Sequence, residues 1–184
     1  MTNKNNIISN FEIDEIRLEK AKKIITELQK ELEQHTDLNC GPFLAAIYDE
    51  KGNLISKCAN SVVEKNCSNN HAEMNAIKEA QEKLGTYDLS SFNLSIYVTS
   101  EPCIMCAGAI MWSGIKEVYY GVPSDIVEKI TGFDEGFKPN WFEEFKKRNI
   151  KVCGNIELEL GIKELEKYMQ NGKKIYCPER QNFS

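Results

Sequence analysis

A chain of 184 residues is long enough for one domain with a substantial core and short for two. Hydrophobic residues at 41%, charged residues at 28% and only five prolines describe a globular chain without a long disordered linker. The 28 acidic residues outnumber the 23 basic ones, for a net charge of −5. A polyanion binder relies on a basic face, so a small, weakly charged ligand is favoured over nucleic acid.

From Phe11 to Glu33, Ile13, Ile16, Ala21, Ile24, Leu28 and Leu32 recur near helical spacing between Lys and Glu residues, which predicts an amphipathic first helix. Gly41-Pro42 breaks the pattern. Phe43 to Tyr48 is a short apolar run, Asp49 to Asn53 a turn containing Gly52, and Leu54 to Cys58 a return run, together a β-hairpin. A polar loop, Asn60 to Asn70, leads into a helix from His71 to Leu84, rich in strong helix formers and closed by Gly85. Leu94 to Val98 alternates as a strand does. Pro102 suits the first turn of a helix that runs to about Trp112, where Gly114 releases the chain into a strand, Glu117 to Tyr120. A short helix over Asp125 to Ile130, a longer one over Asn140 to Arg148, a strand at Ile150 to Cys153 and a helix at Gly161 to Gln170 complete the chain. Strands alternating with helices after a hairpin predict an α/β fold, a three-layer α/β/α sandwich around a mixed sheet of about five strands.

No window approaches the roughly 18 consecutive apolar residues of a membrane span, and Met1 to Asn10 carries no apolar stretch of a signal peptide. Seven cysteines without a pairing framework point to a reducing, cytoplasmic setting. His35 reads as an exposed cap after the first helix, and Cys40, Cys58, Cys67, Cys153 and Cys177 read as passive thiols.

The chemistry-bearing residues are His71-Ala72-Glu73 and Pro102-Cys103-Ile104-Met105-Cys106. Each set falls at the start of a predicted helix. Cys103 and Cys106, three apart, share a helix face, and a helix N-terminus favours thiolate over thiol. One imidazole and two thiolates make a three-ligand zinc site with an open fourth position, and Glu73 stands beside it as a carboxylate that is not a ligand. A lone Cys-x-x-Cys also fits a redox pair or half of a structural zinc ribbon, but no thioredoxin-like context surrounds it and no second ligand pair follows. A structural zinc site has no use for Glu73, whereas hydrolysis needs a proton carrier. Trp112 reads equally well as core or as pocket wall, and Asn60 as a turn former or as a donor–acceptor pair for a base edge.

On these residues the chain resembles the cytidine deaminase superfamily, and within it the purine-type branch. The resemblance runs from about Gly41 to Phe137, through Gly41-Pro42-Phe43, Asn60-x-Val62, His71-Ala-Glu73 and Ser100-Glu-Pro-Cys103-Ile-Met-Cys106-Ala-Gly-Ala-Ile110. It implies one Zn²⁺ per chain held by His71, Cys103 and Cys106, Glu73 as proton shuttle, and assembly as a homodimer. Bacterial tRNA adenosine deaminases share Glu101-Pro-Cys-x-Met-Cys but continue into a basic segment that is absent here. Bacterial guanine deaminases carry a Trp in the zinc helix, matched by Trp112, and a Gly-Phe-Asp-Asp-like stretch, matched by Gly132-Phe133-Asp134-Glu135. The second acid is Glu135 where that pattern has Asp.

The resulting expectation is zinc-dependent hydrolytic deamination of a free purine base or related aminated heterocycle, guanine to xanthine first. A tRNA-specific adenosine deaminase is the alternative, and a catalytically silent zinc-binding dimerisation module the alternative of another class. Expected substrate contacts are Asn60 at the heterocycle edge, the Ala72 backbone amide or Ser100 carbonyl, Phe43 or Trp112 stacking, and Asp134 or Glu135 on the purine. Residues 1–184 are expected to form a single domain, with a deaminase core at about 41–137 and a helical extension over 138–184.

Overall fold

The computed structural model describes residues 7–36, 41–172 and 175–176. The expectations for Cys40, Cys177 and the His35 side chain fall outside what is described. The elements run β1 (Ile8–Ser9), α1 (Glu15–Thr36), β2 (Leu44–Tyr48), β3 (Leu54–Ala59), α2 (Val62–Lys65), α3 (Ala72–Leu84), β4 (Ser95–Ser100), α4 (Ile104–Ser113), β5 (Glu117–Val122), α5 (Ser124–Thr131), α6 (Trp141–Lys147), β6 (Lys151–Gly154) and α7 (Leu158–Gln170).

One six-stranded sheet has the order β1-β6-β5-β4-β2-β3. β4, β5 and β6 are mutually parallel, while β3–β2, β2–β4 and β1–β6 are antiparallel. The fold is the expected α/β sandwich, with one strand more than the pattern predicts. On one face α3, α4 and α6 bury Ala72, Ala76, Ile110, Trp141 and Phe145 against the sheet. On the other, α1 packs Ala21, Ile25 and Leu28 onto Tyr97 and Tyr119, and α5 and α7 close over Val122 with Val127 and Leu165.

Local chemistry sets the boundaries. Asp14 caps α1 by accepting from the backbone N of Arg17 at 2.8 Å. The hairpin turn closes on Asp49, whose carboxylate accepts from Asn53 N, with Gly52 at φ +87°. Gly114 ends α4 at φ +86°, where an added Cβ would lie 2.7 Å from Ser90 N, so no other residue fits there.

Two elements escape a periodicity reading. α2 is a single turn inside the polar loop. β1 is two residues long in a polar N-terminal stretch, and backbone pairing with β6 makes it a strand. Asn10 extends that pairing with its side chain: Nδ2 donates to Ile150 O at 3.1 Å and Oδ1 accepts from Val152 N at 2.8 Å. The region after residue 138 is also more than helical, since β6 pairs with β5 inside the sheet.

Candidate active site

The site lies at the carboxyl ends of β3 and β4, where open α/β sheets leave room for ligands. His71 is the N-cap of α3 and Cys103 the N-cap of α4, and neither side chain caps its own helix. Their carbonyls start the helices, His71 O accepting from Asn75 N at 3.0 Å and Cys103 O from Ala107 N at 2.8 Å. The imidazole and the thiol are left free to face each other, with Cys103 Sγ 3.6 Å from His71 Nδ1. Cys106 is fully buried nearby. The donor atoms of His71, Cys103 and Cys106 all lie within 4.8 Å of one another, a span that one tetrahedral ion with bonds of about 2.0–2.3 Å can bridge. One imidazole nitrogen and two sulfurs suit zinc and leave a fourth position open.

The electrostatics split the two thiols. The Cys106 thiol donating to Cys103 holds the Cys103 thiol down at about 4, with His71 acting in the same direction. That hydrogen bond and burial hold Cys106 up. Burial depresses His71, but its bond to Cys103 and the Glu73 carboxylate lift it above its ordinary value. Glu73, in the first turn of α3, is only 5% exposed. Burial and the charge of Cys103 raise its carboxyl to about 7, near the value at which a group both takes and gives protons efficiently at neutral pH.

A cavity of about 200 Å³ opens beside these residues. His71, Glu73, Ser100 and Cys103 form its base, Phe43, Phe133 and Tyr176 its aromatic side, and Asp134, Glu135 and Gly136 its far wall. Phe43 and Phe133 meet edge to face at 5.4 Å, and Phe133 meets Tyr176 at 5.0 Å. Glu135 is half-buried, and burial, with the charges of Cys103 and Glu73, pushes its carboxyl up to about 8. Glu128 of α5 fixes this wall by accepting from Glu135 N at 3.1 Å.

The residues expected from sequence are thus partly gathered. Phe43, Asp134 and Glu135 line the cavity. Ala72 is fully buried beneath it. Asn60 is also fully buried, and its amide is engaged within the protein: Nδ2 donates to Tyr176 Oη at 2.6 Å and Oδ1 accepts from Val62 N at 3.2 Å. Asn60 therefore reaches the cavity through Tyr176. Trp112 is the correction: it is 82% exposed and lies off the cavity. It stands about two and a half helical turns beyond Cys103, on the opposite side of α4. Phe133 and Tyr176 supply the rings instead. Tyr176 escapes a sequence reading because it follows the last helix with no periodic pattern; its only signal is the apolar pair Ile175-Tyr176 in a polar tail.

Residues 18–122 match the family model of the cytidine and deoxycytidylate deaminase zinc-binding region. The chain is 40% identical over 98 residues to guanine deaminase of Bacillus subtilis, covering 53% of this chain and 60% of that one. It is 43% identical over 96 residues to tRNA-specific adenosine deaminase of Rickettsia bellii, covering 52% and 65%. Each match spans less than two thirds of the relative's length. Among solved structures, guanine deaminase from Nitrosomonas europaea superposes with a TM-score of 0.76 at 34% identity, over 80% of this chain and 83% of that one.

Proposed function

The chain belongs to the cytidine and deoxycytidylate deaminase zinc-binding family, and from that premise we propose that it hydrolyses the amino group from a free purine base, guanine first, releasing xanthine and ammonia. His71, Cys103 and Cys106 would hold one Zn²⁺, which when bound lowers the pKa of a coordinated water from 15.7 toward about 7. Glu73 takes a proton from the attacking water and passes it to the ring nitrogen beside the amino-bearing carbon. It then carries the second proton to the departing amine, so that water and base give ammonia and the oxo product. A buried carboxyl held near 7 suits this two-way traffic.

The observation that carries the purine reading is the set of rings and carboxyl groups that lines the cavity beside the ligands. Phe43, Phe133 and Tyr176 flank a slot of about 200 Å³ that ends at Asp134 and Glu135. An apolar-sided cavity that also presents Asp134 and the protonated carboxyl of Glu135 offers both an acceptor and a donor to the edge of a bicyclic base. The likeness to the Nitrosomonas europaea enzyme over 80% of the chain supports the same substrate. The tRNA reading draws support from the Rickettsia relative, but a net charge of −5 is a poor match for a folded polyanion. A silent module would leave the burial of Glu73 beside the ligands without a purpose.

The proposed partners are the small base and a second copy of the chain. Self-association is supported by uncovered apolar residues: Ile104, Trp112 and Phe137 are 41%, 82% and 73% exposed. Cytoplasmic residence is supported by Cys58, Cys67 and Cys153, thiols outside the proposed metal site that form no disulfide. No helix among the described residues is long and apolar enough to cross a membrane. One folding unit over the whole chain is supported by β6 in the sheet and by α7 packed on α1 and α5. Ammonia release from guanine, guanosine, cytosine, adenine and a tRNA anticodon stem-loop tests the assignment. Guanine should be fastest; a faster stem-loop would replace the purine-base reading with the tRNA one.

A further inference from the structure

Glu101 precedes the ligand Cys103 by one buried residue, Pro102. Its carboxylate accepts a hydrogen bond at each oxygen: Oε2 from Ser124 N at 2.9 Å, Oε1 from the indole Nε1 of Trp141 at 3.1 Å. Its own backbone N–H donates to Val122 O at 2.7 Å. The end of β5, the start of α5 and the start of α6 are thereby tied to the segment that delivers Cys103. The indole is itself fixed, since Trp141 is 9% exposed and packs against Phe145 at 4.9 Å and Tyr120 at 6.2 Å.

We propose that Glu101 is a positioning residue: clamped by Ser124 and Trp141, it sets the angle at which Cys103 meets the metal, and it couples α6 to the metal centre. α6 lies beyond the matched family region, which ends at residue 122, so the clamp joins the ligand loop to a later segment of the chain. The inference rests on reading His71, Cys103 and Cys106 as zinc ligands.

The chemistry of the clamp dictates a specific test. Only a carboxylate accepts at both ends; an amide has one accepting oxygen and one donating nitrogen. In Glu101→Gln, therefore, the amide nitrogen must face either Ser124 N–H or the Trp141 indole N–H, donor against donor. Trp141→Phe keeps a ring and removes that donor. In the double variant the amide oxygen serves Ser124 and its nitrogen faces a ring edge, so the conflict disappears.

Zinc release from the full chain to excess chromogenic chelator reads the clamp directly. Loss of a charge-assisted bond predicts release on the order of tenfold faster in Glu101→Gln and severalfold faster in Trp141→Phe. The double variant should release zinc more slowly than Glu101→Gln alone. With cobalt in place of zinc, the thiolate-to-cobalt absorption should shift in Glu101→Gln and return toward wild type in the double variant. Should Glu101→Gln fail to fold, Trp141→Phe alone must still speed release. Melting temperatures that fall while release and the cobalt spectrum stay at wild-type values would overturn the clamp, as would additive effects in the double variant. A wild-type chain that holds no zinc would overturn the ligand reading and the clamp together, whereas tight zinc with indifferent variants overturns the clamp alone.

Discussion

The floor of the cavity and its far wall are built in opposite ways. His71, Glu73, Cys103 and Cys106 sit on the first turns of two packed helices, so a few backbone dihedrals fix all four donors. Asp134 and Glu135 lie on an irregular segment after α5, and Tyr176 comes from beyond α7. The floor depends on local spacing and the wall on contacts between distant parts of the chain. Under the proposed function, the reaction is therefore the rigid property of this molecule and the choice of base the adjustable one.

The largest expected effect falls on the floor. Glu73→Gln should lower ammonia release by about 10²- to 10⁴-fold, the usual worth of a general acid–base group, while metal analysis still finds one zinc per chain. Substantial turnover in that variant would leave the shuttle assignment untenable. On the wall, Tyr176→Phe strands the Asn60 Nδ2 donor in a fully buried residue. An unmade buried hydrogen bond costs about 1–3 kcal/mol of folded stability, which should appear as a melting temperature lower by several °C, with a rise in KM for guanine only as far as the loosened ring leaves the cavity and with kcat little changed. An equal loss in kcat would move Tyr176 from the wall to the chemistry.

A pH experiment probes the wall, and its coupling to the floor, without substrate. The Glu135 carboxyl stands at about 8 against an ordinary 4.5, so between these values the folded chain keeps a proton that the unfolded chain releases. Folded stability from this group is then greatest below pH 4.5 and declines up to about pH 8. In metal-free protein, Glu135→Gln should flatten that decline in melting temperature by a few °C. An unchanged slope would mean that the wall opens to water in solution. The smallest effect belongs to Trp112→Ala, expected to change kcat/KM by less than about twofold if the chain acts alone. A larger loss accompanied by dissociation would show that a neighbouring copy completes the wall.

The same contrast explains what a sequence can reveal. His71-Ala-Glu73 and Cys103 to Cys106 were legible because ligand geometry maps onto helix spacing, and α1, the hairpin and the β4–α4–β5 unit because apolar periodicity marks the buried side. Trp112 misled because proximity in sequence to Cys106 is not proximity in space: helical rotation carries it to the far side of α4. Tyr176 and the indole of Trp141 stayed hidden because their partners, Asn60 and Glu101, lie far back in the chain. Nothing in local pattern encodes those pairings.

The side-chain bridge from Asn10 to Ile150 and Val152 has a consequence for how this protein behaves in solution. A parallel sheet's outermost strand presents unpaired amides and carbonyls, a template on which another chain can add. β1 occupies that template for two residues, and the Asn10 carboxamide then imitates one further peptide unit with a group that no strand can continue. The sheet is ended by a mimic of its own backbone. Asn10→Ala would leave the Val152 N–H and the Ile150 carbonyl without these partners while β1 stays paired through its backbone, and a slightly lower melting temperature is the expected result.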